Sequence, residues 1–368
     1  MIVRARTDIN EAIISELLAG KDLHTQVPSS CFFFNSGSAS LRFFLQLIGS
    51  GARVGVQVYT CSTVLDAIRD EGCTPVFLDI NPDYYTSTLD IVKRSINKID
   101  ILILTHLFGI PNPDYCEIKQ LCKERNVVLI DDLCQTFHAK IGGKFLEEIS
   151  DNYIYSFFYD KPISTVAGGM LKVQENYRDS AENKYAQLAQ DNDIDGRKNL
   201  KVLLLMHRLL SPDLYEQEFR SGTAWRAILG IWPVRWNVKK LQRLVTWKGL
   251  RIINKVFKAE GGAKIRKMSS VEREYVLSMM KGFHNNNAIL ENFYKQNSVD
   301  LPAYMTNPNI GISAAKRAIV GWRVVADNVQ IGLYNWPDLI CDKAEYNQYP
   351  NAVEVIRTHT NIPCWITF

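Results

Sequence analysis

Residues 101–135 read ILILTHLFGIPNPDYCEIKQLCKERNVVLIDDLCQ, and this stretch decides the fold class. Two apolar runs, residues 101–105 and 127–131, flank a segment of helical period at residues 113–125. Because the runs are continuously apolar rather than alternating, they predict strands of a sheet that is buried on both faces. Such strands are parallel and joined by helical crossovers, so the stretch predicts part of an α/β fold.

The same pattern extends over residues 30–175. Residues 63–71 supply another segment of helical period. Further apolar runs predict strands at VGVQV (54–58), PVFLD (75–79), YIYSF (153–157) and GMLKV (169–173). We therefore expect a three-layer α/β/α domain with a mainly parallel sheet. In such a sheet the ligand crevice lies beyond the carboxyl ends of the strands, which tells us where to look for chemistry.

The later part of the chain is polar and mainly helical. Residues 269–294 predict one long helix, and strand-like and helix-like pieces follow at residues 321–326 and 352–357. We expect residues 1–195 to form a large domain and residues 267–368 a smaller α+β domain. A helical insertion, residues 196–266, is expected between them.

The composition is that of a globular protein. The chain has 368 residues, 46% of them hydrophobic, and its net charge of +4 is too small to indicate nucleic-acid binding. The start of the chain lacks a signal-peptide pattern, and no run of about 18 apolar residues occurs, so we expect a cytoplasmic protein. Eight scattered cysteines without a CxxC pair indicate reduced thiols rather than disulfides or a metal site.

Residues 35–40, NSGSAS, precede a segment of helical period and form a candidate phosphate site. Small residues at a helix N-terminus let backbone N–H groups converge on an anion, which makes Gly37, Ser38 and Ala39 candidates. The same residues could instead be an ordinary N-cap with a tight turn.

Asp131 and Asp132 end the apolar run VVLI. A carboxylate at this point could pair with the protonated pyridine nitrogen of pyridoxal phosphate (PLP) and keep its ring an electron sink, and Asp132 is the candidate. Acidic residues at the ends of parallel strands also serve as metal ligands or helix caps.

SFFYDKP, residues 156–162, contains the candidate amine, Lys161. A lysine in a crowded, aromatic-flanked turn is desolvated, which favours the neutral amine that condenses with an aldehyde. The alternative is an exposed loop lysine. Ser156 could donate to the cofactor phosphate, and Tyr59 could cover the ring or simply pack at a strand end.

The order and spacing of these motifs resemble the DegT/StrS family of sugar aminotransferases, which are fold-type I PLP enzymes. The resemblance covers residues 31–175 and resumes at KMSSVEREYV. It rests on SGSASL, YTCSTV, GCTPVFLDI, THLFG, LIDDLCQ and SFFYDKPISTVAGGM. It implies PLP as cofactor, an amino acid such as glutamate as donor, a keto-sugar acceptor that is nucleotide-linked, and a homodimer.

The resemblance also implies a role for single residues. Lys161 would form the Schiff base, and its retention argues for transamination, because relatives with histidine there are dehydratases. Asp132 would pair with the pyridine nitrogen and Gln135 with the phenolic oxygen of the cofactor. The phosphate would be held by Gly37, Ser38 and Ser156.

The chain departs from the family pattern at two places. Relatives carry a ring-stacking aromatic residue where Cys61 stands, so both Tyr59 and Cys61 are candidates to cover the ring. Relatives also place an asparagine, which reaches the partner subunit's phosphate, where this chain has Ile265. Lys264 and Arg266 are candidates to replace it.

Residues 220–267 are rich in Lys, Arg and Trp, with Glu260 as the acidic exception. They could contact the pyrophosphate and base of a nucleotide-sugar, or lie on an anionic membrane surface. They could equally be two amphipathic helices whose charges face water. His106 and His138 are expected to be packed or hydrogen-bonded rather than catalytic.

Two other functions remain possible at this point. One is a PLP enzyme of the same fold that has a non-nucleotide acceptor or a different reaction. The other is a catalytically silent, membrane-associated relative.

Overall fold

A computed structural model describes residues 9–158, 161–210, 264–283, 288–296, 300–313, 317–321 and 339–363. Within these residues the strands are β1 (Cys31–Phe34), β2 (Arg53–Gln57), β3 (Thr74–Leu78), β4 (Ile101–Thr105), β5 (Val128–Asp132), β6 (Lys140–Ile141), β7 (Lys144–Phe145), β8 (Tyr153–Ser156), β9 (Gly169–Lys172), β10 (Ile310–Gly311), β11 (Arg317–Gly321) and β12 (His359–Pro363). The α-helices are α1 (Glu11–Leu18), α2 (Gly37–Ile48), α3 (Ser62–Asp70), α4 (Leu89–Ser95), α5 (Tyr115–Glu124), α6 (Leu146–Ile149), α7 (Glu175–Ala186), α8 (Asp193–Leu210), α9 (Ser270–Lys281), α10 (Ala288–Gln296), α11 (Ala303–Thr306) and α12 (Pro350–Thr358).

Seven strands form one sheet in the order β1-β9-β8-β5-β4-β2-β3. The strands β3, β2, β4, β5 and β8 run parallel to one another. The exception is β9, which is antiparallel to both of its neighbours, β8 and β1. The α/β fold with a mainly parallel sheet, expected from the sequence, is therefore confirmed.

Helices cover both faces of this sheet, which explains why every residue of β4 is buried. On one face α2 and α3 pack through Phe43 and Val64. On the other face α4 and α5 pack through Val92 and Ile118. The continuous apolar runs in the sequence follow from these three layers.

The outer strand β1 is covered by a segment from late in the chain. Met268 N donates a hydrogen bond to Phe33 O at 3.1 Å, and Asn35 N donates to Arg266 O at 3.0 Å. These bonds hold residues 266–268 beside the strand that leads into α2.

The C-terminal helix α12 attaches at the opposite edge of the sheet, next to β3. Asp79, directly after β3, caps α12: its Oδ1 accepts from Ala352 N at 2.9 Å and its Oδ2 from Asn351 N at 3.2 Å. The strands β11 and β12 form a separate antiparallel pair. The helix expected at residues 352–357 lies within α12 and is confirmed.

The single long helix expected at residues 269–294 is wrong. The first helix, α9, ends at Lys281, where Gly282 N donates to Ser278 O at 3.2 Å, and α10 starts only at Ala288. Gly282 directly follows the last residue of α9, and glycine is unfavourable in a helix interior. The apolar period before and after this glycine does not make one helix.

The expected three-domain division stays a prediction. The boundary at residue 196 falls inside α8. Residues 211–263, most of the expected basic insertion, lie outside the described residues, as does most of the strand-like piece at 321–326. None of the helices that the structure describes is long and apolar enough to span a bilayer.

Glu272 is a carboxyl group buried where α8 meets α9, with 4% of its surface exposed. Asn199 Nδ2 donates to its Oε1 at 3.0 Å, and Ser269 Oγ donates to its Oε2 at 2.7 Å. Burial raises the pKa of Glu272 to about 7, against the opposing effect of these two hydrogen bonds, and the negative Asp191 and Asp193 raise it further. Glu272 therefore binds a proton more tightly in the folded than in the unfolded chain.

We expect the Glu272→Gln substitution to reduce the loss of stability at alkaline pH. The contribution of this proton is complete below the unfolded pKa near 4.5 and is lost as the pH rises through 7. A neutral amide avoids that loss, which is at most about 3 kcal/mol. Urea unfolding at pH 5 and pH 8 measures it, with exposed Glu117→Gln as control. An identical pH dependence in Glu272→Gln and wild type would contradict the expectation.

Candidate active site

Successive side chains of a strand point to opposite faces of a sheet, and this alternation separates the two carboxylates that end β5. Ile130 packs in the same apolar cluster as Phe43 of α2, so Asp132 points to the face that α2 covers. Asp131 points to the opposite face, where it meets Tyr115 of α5. The two neighbouring carboxylates therefore have different surroundings.

Asp131 is fully buried and hydrogen-bonded. Tyr115 OH donates to its Oδ2 at 3.0 Å, and His106 Nε2 lies 3.3 Å from its Oδ1. His106 Nδ1 accepts from Asn112 N at 3.0 Å, so Nε2 carries the proton and donates to Asp131. Burial, and next the charge of Asp131, raise the pKa of Tyr115 far above its usual range, which keeps the phenol a donor. His106 is therefore packed and hydrogen-bonded, as expected from the sequence.

Asp132 is 5% exposed and is held by the loops that follow β4 and β5. Its Oδ1 accepts from Cys134 N at 3.0 Å, and its main-chain O accepts from His106 N at 3.1 Å. The hydrogen bond from Cys134 N to Oδ1 thus fixes the orientation of the Asp132 carboxylate. Of the two aspartates, Asp132 is the one on the α2 face.

The first turn of α2 lies against β8 and β9. A Cβ on Gly37 would lie 2.8 Å from Ser156 Cβ, and a Cβ on Gly169 would lie 2.6 Å from Gly37 N. Only glycine allows these approaches. Asp132 pairs with Ile154 in β8, so Ser156, two residues further along, points to the same face as Asp132.

Ser36 caps α2, because its Oγ accepts from Ala39 N at 3.0 Å. This bond occupies the amide of Ala39, whose side chain is buried in the core. The amides of Gly37 and Ser38 come earlier in the first turn, where N–H groups have no partner inside the helix. Together with the Ser156 hydroxyl they can bind an anion such as a phosphate group.

Lys161 lies in the turn after β8 and is partly buried. Its N–H donates to Phe158 O at 2.9 Å, and its O accepts from Ser164 Oγ at 2.7 Å. The pKa of the Cys134 thiol depends on its burial and on the charges of neighbouring side chains. Burial raises the pKa of Cys134 well above its usual range, the negative Asp132 raises it further, and the positive Lys161 lowers it. Lys161 and Asp132 therefore lie around the same thiol.

Gln135 has a defined amide orientation. Its Oε1 accepts from Phe108 N at 2.9 Å, which leaves Nε2 as the donor end. Phe108 has a φ of 58°, a left-handed conformation that turns this amide toward Gln135. Gln135 can therefore donate to an oxygen of a bound ligand.

The two candidates to cover a cofactor ring lie in different surroundings. Tyr59 is 4% exposed and packs in an apolar cluster, with its ring 6.4 Å from that of Phe108. Burial raises the pKa of Tyr59 far above its usual range. Cys61 precedes α3, with its Sγ 3.1 Å from Thr63 Oγ1, and its side chain contributes to the raised pKa of Cys134. Cys61 is thus the candidate placed close to Cys134.

Lys264, Ile265 and Arg266 follow the undescribed part of the basic stretch. The guanidinium of Arg266 forms an ion pair with Asp191 at 2.9 Å, and Ile265 packs against the apolar cluster under α2. Lys264 is exposed, and its O accepts from Asn35 Nδ2 at 3.1 Å. Of the two candidates to replace the asparagine, Lys264 is therefore the more accessible.

Two buried hydroxyls near the strand ends were not anticipated from the sequence. Thr60 is 1% exposed and Thr105 is 2% exposed. Among the residues that the structure describes, neither Oγ1 has a hydrogen-bond partner. The available signal was a polar residue closing the otherwise aliphatic run ILILT.

Comparison with known proteins gives a family-model match over part of the chain and likeness to solved structures over nearly all of it. Residues 27–199 match the model of the DegT/DnrJ/EryC1/StrS aminotransferase family. GDP-perosamine synthase of Escherichia coli O157:H7 is 34% identical over 140 residues, which are 37% of this chain and 38% of that protein. The chain thus matches only 38% of the length of such curated relatives.

Two solved structures extend the likeness beyond this region. The aminotransferase TlmJ from Streptoalloteichus hindustanus has a TM-score of 0.65 at 17% identity, covering 99% of this chain and 93% of its own. The putative sugar aminotransferase Spr1654 from Streptococcus pneumoniae, in its PLP form, has a TM-score of 0.63 at 17% identity, covering 98% and 93%. At this level of identity the likeness shows the fold.

We expect the Tyr115→Phe substitution to lower the free energy of unfolding by about 1–3 kcal/mol, because the buried Asp131 carboxylate then loses one of its two side-chain donors and keeps only His106. Urea unfolding at pH 7 measures the loss. Tyr177→Phe is the matched control, since the Tyr177 ring packs edge-on against Phe44 at 6.3 Å. Equal stability of the two variants would show that Asp131 does not depend on the phenol.

Proposed function

Because residues 27–199 match the model of the DegT/DnrJ/EryC1/StrS aminotransferase family, we propose that the protein is a PLP-dependent aminotransferase. It transfers an amino group from an amino acid, which we take to be glutamate, to a keto-sugar carried by a nucleotide. The product would serve amino-sugar or surface polysaccharide synthesis.

One observation carries this proposal. Asp132 and Ser156 share one face of the sheet, and Gly37 at the start of α2 touches Ser156. A carboxylate and an anion site therefore lie on adjacent strands, β5 and β8. Lys161 lies in the turn that follows β8, and its positive charge lowers the pKa of Cys134, which the charge of Asp132 raises.

The residues present fit PLP. The approach of α2 to β8 depends on Gly37 having no side chain, and a Cβ there would fill the space beside Ser156. The amides of Gly37 and Ser38 with the Ser156 hydroxyl suit a phosphate, and Gln135 Nε2 suits the phenolic oxygen. Either Tyr59 or Cys61 would lie over the ring, and Ala39 would pack beneath the phosphate turn.

Bound PLP supplies an aldehyde that captures amines and a ring that withdraws electrons from the reacting carbon. Lys161 would hold the cofactor through this aldehyde, and its Nζ, as a free amine, would take a proton from the donor and deliver one to the acceptor carbon. Asp132 holds a proton at the pyridine nitrogen, because an ionised carboxylate favours the protonated partner. Gly37, Ser38 and Ser156 fix the position of the ring through its phosphate.

The name of the relative GDP-perosamine synthase supports a nucleotide-linked acceptor. We further propose that the protein is a cytoplasmic homodimer, with Lys264 reaching the phosphate of the partner's site. We also propose that residues 220–267 contact either the nucleotide of the acceptor or an anionic membrane surface. Comparing the rates of amino transfer to nucleotide-linked and to free keto-sugars tests whether the acceptor is nucleotide-linked or not.

The experiment that tests the proposal compares Lys161→Ala with wild type. After PLP addition and borohydride reduction, we expect a cofactor-modified peptide that contains residue 161 in wild type and its loss in Lys161→Ala. Glutamate should bleach the visible absorption of wild type only, and the variant should not turn over. Lys201→Ala, on the exposed side of α8, should behave as wild type. Full turnover by purified Lys161→Ala would refute the assignment.

We expect Asp132→Asn to bind PLP about 10- to 100-fold more weakly, since a hydrogen bond to a charged partner is replaced by a neutral one. Turnover should fall further than binding, because the neutral amide does not hold the ring nitrogen in its protonated form. Titration of the visible absorption measures the binding. Asp66→Asn, exposed on α3, is the control. Unchanged binding in Asp132→Asn would remove this residue from the site.

A further inference from the structure

Thr105 is the last residue of β4, and its buried side chain is polar whereas the rest of the strand is aliphatic. It is 2% exposed, and its Oγ1 has no hydrogen-bond partner among the described residues. Its main-chain O is occupied, since it accepts from Thr86 Oγ1 at 3.0 Å. Burying a hydroxyl without a partner is unfavourable, so a hydrogen bond that Oγ1 makes only in the cofactor-bound protein would compensate for its burial.

The register of the sheet places Thr105 beside Asp132. The two residues are direct partners across the parallel pair β4 and β5. Adjacent strands lie about 4.8 Å apart, so the two side chains are neighbours if they point the same way.

Alternation along β4 shows that they do. Ile101 and Ile103 pack in the apolar cluster on the α2 face, together with Ile130 of β5. Thr105 is two residues beyond Ile103, just as Asp132 is two residues beyond Ile130. The hydroxyl therefore lies on the same face as the carboxylate, on the side away from Ser156 of β8.

We propose that Thr105 is a positioning residue of the cofactor site, whose Oγ1 donates a hydrogen bond to the carboxylate of Asp132 when PLP is bound. This inference rests on the proposed function. Rotation about the Cα–Cβ bond brings the hydroxyl to the carboxylate, where the Cys134 amide already donates to Oδ1. A second donor favours the ionised carboxylate and so the protonated pyridine nitrogen.

The test compares Thr105→Val, which keeps the shape and removes the hydroxyl, with Thr105→Ser, which keeps the hydroxyl. The first readout is the unfolding temperature of the protein without PLP. Thr105→Val should match or exceed wild type, because it removes a buried group that has no partner in the described part of the chain. A fall in Thr105→Val would assign the hydroxyl a structural role and overturn the proposal.

The second readout is the dissociation constant for PLP. We expect it to rise about five- to tenfold in Thr105→Val and to stay within about twofold of wild type in Thr105→Ser. Thr25→Val is the matched control: its Oγ1 is also buried with no partner among the described residues, but Thr25 precedes β1, outside the site. It should leave the constant unchanged.

The outcomes separate the two proposals. If wild-type protein does not bind PLP, the proposed function itself fails. If wild type binds PLP and Thr105→Val binds it equally well, the aminotransferase proposal stands and the role of Thr105 is refuted. A rise that Thr105→Ser does not restore would also refute it, since the hydroxyl would then not be the cause.

Discussion

The site depends on one geometric constraint, the alternation of side chains along β5. Two consecutive aspartates face opposite sides of the sheet, so Asp131 becomes part of the core and Asp132 lies on the face that α2 covers. Asp131 receives donors from Tyr115 and His106, which compensate for its burial. Because His106 also donates its main-chain N–H to Asp132 O, the buried network fixes the strand end that carries the second carboxylate.

A second constraint is the absence of side chains where α2 meets the sheet. Gly37 and Gly169 let the helix start within contact distance of Ser156, and Ser36 occupies the amide of Ala39 as a cap. The remaining amides of the first turn are directed at the place where the strands end. The helix N-terminus and the Ser156 hydroxyl therefore lie on the same face of the sheet as Asp132, one strand away.

Much of the fold was predictable from the sequence, because a strand that is buried on both faces of a sheet has a continuously apolar sequence, as in ILILT of β4. The order of the motifs also indicated the family whose model matches residues 27–199. Asp132 could be named as a candidate, but its distinction from Asp131 needed the partners of both carboxylates, and these come from Tyr115 and His106, which no local pattern connects. Pair contacts across strands, such as Thr105 with Asp132, need a register that the sequence does not state. The long helix predicted over residues 269–294 was wrong for a local reason, since apolar period alone does not show that a helix ends at Gly282.

The cover of β1 by residues 266–268 has a consequence for how the molecule forms. Arg266 N donates to Asn35 Oδ1 at 3.2 Å across 231 positions of sequence. A contact of such long range carries a large entropic cost of loop closure and is made slowly. During synthesis on the ribosome, the edge of β1 stays uncovered until residues 266–268 have emerged, so the first turn of α2 is among the last parts of the described fold to gain its neighbours.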